Sequence, residues 1–139
     1  MPPLTRWHIK TALVYFVAAL LAGIMLALRA VLELPAVIGV LSPVYFHLLM
    51  VGWVTQLIFG VAHWMFPKFS PKQPRGNERL GWATYWLLNA GLLLRVLGEP
   101  LLTLQASTFF GWLVAFSAVL QWLAGLGFVA NVWGRVKEK

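Results

Sequence analysis

Four long apolar runs, separated by short stretches where proline, glycine and charge concentrate, take up almost the whole chain. The first covers about 9–32 and stops at Leu34-Pro35. The second lies between Pro43 and Pro67, over about 43–66; the third covers about 80–97 and the fourth about 108–133. Each is long enough to cross a bilayer, at ~1.5 Å rise per residue against a hydrocarbon core of ~30 Å. Helix is the expected state, because backbone N–H and C=O groups in lipid have to be satisfied within their own segment. The polar loop from Lys68 to Arg79 and the Gly98, Pro100, Gln105-Ala106-Ser107 stretch read as turns. The first run is too long for the hydrophobic region of a cleaved signal peptide and reads as a signal anchor. The predicted fold is all-α: one integral membrane four-helix bundle.

The polar positions inside these runs fall on stripes. At about 100° per residue, His47 shares a face of the second run with Val51, Val54, Ile58, Ala62 and Met65. Gly52, Gln56, Gly60 and His63 lie on nearly the opposite face. That second set is a packing seam: small residues allow close approach and a polar side chain bonds a neighbouring helix. The first set offers an imidazole above an apolar wall, which suits a flat, greasy macrocycle. Ser117, Gln121 and Asn131 share a face of the fourth run with Ala124 and Phe128, and Trp82, Tyr85 and Asn89 do so on the third. Both are expected as helix–helix contacts.

Composition sharpens this picture. Of 139 residues, 60% are hydrophobic and 11% charged, too apolar a balance for a soluble domain. With no cysteine, disulfides, iron–sulfur clusters, thiolate-ligated haem and covalently attached haem are excluded. The formal charge of +7 does not point to nucleic acid, because the basic residues flank apolar runs. Four spans put Arg6, Lys10, Lys68, Lys72, Arg75, Arg79, Arg135, Lys137 and Lys139, nine of the 11 basic residues, on one side. By the positive-inside rule that side is cytoplasmic, with both termini; the expected location is a prokaryotic plasma membrane. Trp7, Trp64, Trp82 and Trp133 sit near the predicted cytoplasmic ends as interfacial anchors. His47 is then expected a turn or two below the outer surface.

Arg29 precedes Glu33, and Arg95 precedes Glu99, at i,i+4 spacing near the predicted outer helix ends. Two readings stand for each pair. One is an intrahelical ion pair with a snorkelling arginine; the other is an arginine facing a ligand's carboxylates, which its planar fork matches. No paired carboxylates, activated nucleophile or glycine-rich phosphate loop appears in the sequence. Histidine is the chemically capable residue that remains. His47 either donates to a neighbouring carbonyl or ligates a haem, whereas His8 and His63 fit structural roles. One protomer supplies one good axial ligand, so a six-coordinate haem needs a second from elsewhere, pointing to a homo-oligomer.

The stretch from His47-Leu-Leu-Met-Val-Gly through Ile58-Phe-Gly60-Val-Ala-His-Trp-Met-Phe-Pro67 resembles the second transmembrane helix of the catalytic subunit of heme-copper oxidases and related nitric oxide reductases. There, too, a histidine opens the helix, glycines follow about midway, and an aromatic-Pro ending leads into a loop. Arg79-Leu-Gly-Trp through Tyr85-Trp-Leu-Leu-Asn89-Ala-Gly91 is similar to the start of that subunit's third helix.

The resemblance implies that His47 is an axial ligand of a b-type haem. Val51, Val54 and Ile58 would then be wall residues, with Arg29 and Arg95 candidate partners of its carboxylates, although the family's motifs do not carry these two arginines over. The family subunit has about twelve helices in three pseudo-symmetric arcs, and this chain looks like one arc. The partner haem histidines, the copper-site histidines and the crosslinked tyrosine are missing, so no copper is expected from one protomer. The implied function is electron transfer or O2/NO chemistry in a homotrimer, less readily a dimer, with a quinol or cytochrome as redox partner. Other classes remain open: an accessory or assembly subunit without haem, in which histidines only tie helices together, or a small quinone-binding protein.

Overall fold

The computed structural model describes residues 1–71 and 74–136. Lys72, Lys137 and Lys139, counted above in the charge asymmetry, lie outside the described residues. The chain is all-helical, with four helices long and apolar enough to cross a membrane. We number them α1 (Pro3–Leu28), α2 (Ala36–Met65), α3 (Glu78–Leu104) and α4 (Thr108–Val132), the last continuing as a 3-10 turn over Trp133–Arg135.

Local chemistry sets the ends. Pro3 occupies the first helical position of α1, where its missing N–H costs nothing and its fixed φ is already helical. Asn77 caps α3, its side-chain oxygen accepting from the Leu80 N–H at 3.2 Å, and Ser107 caps α4 by accepting from the Phe109 N–H at 3.3 Å. Gly76 supplies the left-handed turn before that cap, with φ of 77°. Phe66 leaves helical geometry ahead of Pro67 and closes α2.

Three boundaries depart from the sequence pattern. α1 ends at Leu28, so residues 29–32 form turns rather than helix. α2 starts at Ala36 as a 3-10 turn and turns α-helical at Leu41, where a loop is predicted. α3 runs through Pro100 to Leu104. Proline there deletes one main-chain bond, while Thr103 donates to the Glu99 carbonyl at 2.9 Å in the same turn.

Packing follows the stripes. α1 lies along α2, and α3 lies along α4, with α2 and α3 joining the two pairs. Among the described residues α1 and α4 make no main-chain approach to each other, so they flank a central α2–α3 pair. The predicted seam forms: Gly52, Gln56, Gly60 and His63 are all buried. A Cβ on Gly52 would lie 2.8 Å from Tyr15, and one on Gly60 would lie 2.8 Å from the His8 Cβ, so only glycine admits α1 at this distance. Asn89 and Tyr85 of α3, and Ser117, Ala124 and Asn131 of α4, also point inward. The outer faces stay apolar: Val14, Val17, Leu21, Trp112, Trp122 and many others are exposed, as a lipid-facing surface requires. Trp7, Trp64 and Trp133 are exposed as well.

Candidate functional site

The three histidines occupy two different settings. At the end where the chain termini and the α2–α3 loop meet, all four helices converge on one small cavity of about 10 Å³. Leu4 and His8 of α1, Phe59 and His63 of α2, Gly81 and Thr84 of α3, and Phe128 and Asn131 of α4 line it. His8 is 2% exposed and stands edge-on to Tyr85 at 5.0 Å between ring centroids. Phe59 stacks on Phe128 at 3.9 Å. The His8 Nδ1 and Thr84 Oγ1 atoms are buried without a hydrogen-bond partner in the protein. A volume of about one water molecule admits no organic ligand.

Arg135 locks this end. It is 1% exposed, and its guanidinium donates to the carbonyls of His63 (3.0 Å), Phe66 (2.8 Å) and Pro67 (3.0 Å). These are carbonyls that the end of α2 leaves without amides. Asn131 adds a second tie, accepting from the Asn77 N–H at 2.8 Å. Sequence reading took Arg135 as a topology charge; its position 68 residues beyond Pro67 gives no local sign of this role.

His47 is placed otherwise. Its Nδ1 lies 2.9 Å from the Pro43 carbonyl and 3.2 Å from Glu99 Oε2. Both neighbours are acceptors, so Nδ1 carries the ring hydrogen and donates it to the carbonyl. The carboxylate adds its charge at the same nitrogen without an aligned donor of its own. In neutral imidazole the opposite nitrogen, Nε2, then holds the free lone pair. The His47 side chain is 27% exposed, so the imidazole is not sealed in the core. Arg95 holds Glu99 from behind, with Nη1 donating to Oε1 at 3.1 Å, and Arg95 Nε donates to Ser117 Oγ at 3.0 Å. Ser117 sends its own hydrogen to the Val114 carbonyl at 2.8 Å. The chain His47–Glu99–Arg95–Ser117 therefore links α2, α3 and α4.

This cluster lies further from the helix ends than the sequence pattern indicates. Because α2 begins at Ala36 rather than Pro43, His47 is about three turns inside the helix rather than about one. Glu99 sits a turn and a half before the end of α3, inside a span that the pattern closes at 97. Sequence reading paired Glu99 only with Arg95 because Pro100 looked like a helix stop. The readable signal was the leucines at 101, 102 and 104, which continue the apolar run past the proline.

Comparison with family models, characterised proteins and solved structures finds no match. The site stands on its own geometry.

The predicted wall around His47 does not form as one surface. Directly after His47 the chain enters a π-helical stretch, Leu48–Thr55, whose i→i+5 bonding makes wider turns. The uniform 100° step used to project the face does not apply there. Val51 packs inward against two core clusters, Val54 is half-buried, and Ile58 is 55% exposed on an outer apolar surface with Leu57, Val61 and Met65. Arg29 does not pair with Glu33, since α1 has already ended; its guanidinium lies against Gly39 in the 3-10 turn. Arg95 makes the i,i+4 pair, inside α3 rather than at its end. Among the described residues no group of three or more His, Cys, Asp or Glu could hold a metal ion between them.

Proposed function

We propose that this chain is a b-type haem-binding protein of a prokaryotic plasma membrane, with His47 as an axial ligand and both termini cytoplasmic. One observation carries the reading: His47 directs Nδ1 at a backbone carbonyl and a carboxylate, which leaves Nε2 for a metal. Histidines that ligate metals commonly donate the other ring N–H to such groups, which fixes the tautomer and raises ligand basicity. Here the Pro43 carbonyl accepts that hydrogen and the Glu99 carboxylate stands 3.2 Å from the same nitrogen, held there by Arg95, which is itself bonded to Ser117. A haem bound there would supply one-electron chemistry or a binding position for a diatomic gas.

The chain's own residues fit that role unequally. His47 is a partly exposed imidazole whose Nδ1 is already bonded. Arg95 is committed to Glu99 and Ser117, so it acts on the ligand's orientation rather than on haem carboxylates. Arg29 is exposed near the same end and remains the candidate for them. The half-exposed position of His47 on the protomer favours a second axial ligand from another copy, in a trimer before a dimer. A quinol or a cytochrome is the fitting redox partner for electron transfer.

The same geometry also favours a second reading, because the His47–Glu99 bridge ties α2 to α3. A haem-free accessory subunit of a respiratory complex needs no more than that. An absorption spectrum separates the two. Protein purified in detergent and supplemented with haem b is expected to show a Soret band that His47→Ala abolishes and His63→Ala retains. A colourless wild-type protein rejects the haem reading and leaves the accessory one.

A further inference from the structure

Along α1, with Leu93 of α3 on its other side, lies a cleft of about 680 Å³. Its lining changes along its length. Arg6, Trp7 and Lys10 stand at the end near the chain terminus; Thr11 and Tyr15 follow; Val14 and Leu93 make the far part. Arg6 and Lys10 are one turn apart on the same helix face, and among the described residues no acidic side chain pairs with either. Two bonds hold the walls together: Thr11 Oγ1 with Tyr85 OH at 2.8 Å, and Tyr15 OH donating to Asn89 Oδ1 at 3.0 Å. These satisfy the polar groups partway down, so the far part of the cleft presents apolar surface. From Arg6 to Val14 the helix advances ~12 Å, enough to separate a headgroup from its acyl chain.

We propose that this cleft is a binding site for an anionic glycerophospholipid of the surrounding bilayer. Its phosphate would lie between Arg6 and Lys10, with its glycerol at the level of Trp7 and Thr11 and an acyl chain along Val14 and Leu93. Charge complementarity selects the occupant. Two cations, unpaired among the described residues, at the mouth of an apolar slot between membrane helices match a phosphate carrying hydrocarbon, and basic pockets between such helices bind lipid headgroups for this reason. A zwitterionic lipid brings a second cation to the same place and fits worse.

Native mass spectrometry of the detergent-solubilised 139-residue chain tests this with phosphatidylglycerol and phosphatidylcholine offered at equal concentration. Phosphatidylglycerol is expected to be retained about tenfold better, since each cation near the surface contributes appreciably. The double variant Arg6→Gln/Lys10→Gln removes that preference. Lys68→Gln/Arg79→Gln, on exposed cations at the same end but outside the cleft, keeps it. Leu93→Trp, which leaves the charges and fills the apolar part, lowers retention of phosphatidylglycerol. Equal retention of the two lipids overturns the proposal, as does an equal loss in both double variants. Displacement of the lipid by inorganic phosphate at millimolar concentration, with Leu93→Trp behaving as wild type, shows a plain anion site and overturns it too. Far-UV circular dichroism of each variant confirms that the helices persist.

Discussion

The His63 end and the His47 end of this molecule use the same residue types for opposite purposes. Around His63 every helix contributes, glycines draw the backbones together, and Arg135 closes the last turn of α2 with three charge-assisted bonds. The imidazoles there are enclosed and 5% exposed or less. Around His47 the helix is loosened by a π-helical stretch, and its cationic and anionic partners sit on a different helix. Its ring is oriented rather than sealed. Burial and orientation are therefore separate properties of a histidine in this bundle: His8 and His63 are enclosed, whereas His47 is held at one nitrogen and partly exposed.

On the proposed haem reading, this contrast makes the stability and the colour of the protein respond to different residues. Arg135→Ala is expected to have the largest effect on stability, on the order of 3 kcal/mol, because three carbonyls lose charged donors in a buried place. Thermal unfolding in detergent micelles, followed by circular dichroism, measures it. An unchanged midpoint would place no stabilising role on this residue. Gly60→Leu comes next, at about 2 kcal/mol, since the new side chain meets the His8 Cβ and the Thr5 carbonyl. Suppressing it with His8→Gly, which removes that Cβ, would show that the contact is the cause.

Asn131→Ala removes the one bond from α4 to the Asn77 amide and is expected to cost ~1 kcal/mol. His47→Ala ranks lowest on this scale, below ~1 kcal/mol, as expected for a partly exposed imidazole whose hydrogen bond is to its own helix. The order reverses for haem. His47→Ala is expected to eliminate the Soret band, and Glu99→Gln to lower haem affinity about tenfold through lost orientation and basicity. Asn131→Ala leaves the band intact. A titration with haem b in detergent reads all three, and equal losses in His47→Ala and Asn131→Ala would erase the distinction between the two ends.

Much of this arrangement is legible in the chain because lipid restricts the options. A segment with no water to bond its backbone has to be helical, so four apolar runs give four helices. The small and polar residues of each run face inward because they have nowhere else to gain contacts. Gly52, Gln56, Gly60 and His63 follow that rule. The wall of Val51, Val54 and Ile58 does not, because the hydrogen-bonding pattern changes after His47 and a constant angular step carries the projection off course. Pro100 misleads for a related reason. A proline inside a packed membrane helix loses one bond but not its neighbours, and the helix continues to Leu104 with Glu99 inside it.

The sequence by itself determined that this protein is all-helical, with four helices long and apolar enough to cross a membrane. Those properties follow from residue-by-residue costs in an apolar solvent, which add along the chain whatever the neighbours are. Only the tertiary structure decided that Glu99 meets His47, that Arg135 caps a helix ending 70 residues earlier at Met65, and that a charged slot opens between α1 and α3. Such pairings depend on where one helix crosses another. That crossing is set by many small packing contacts at once, and no single run of the sequence contains them.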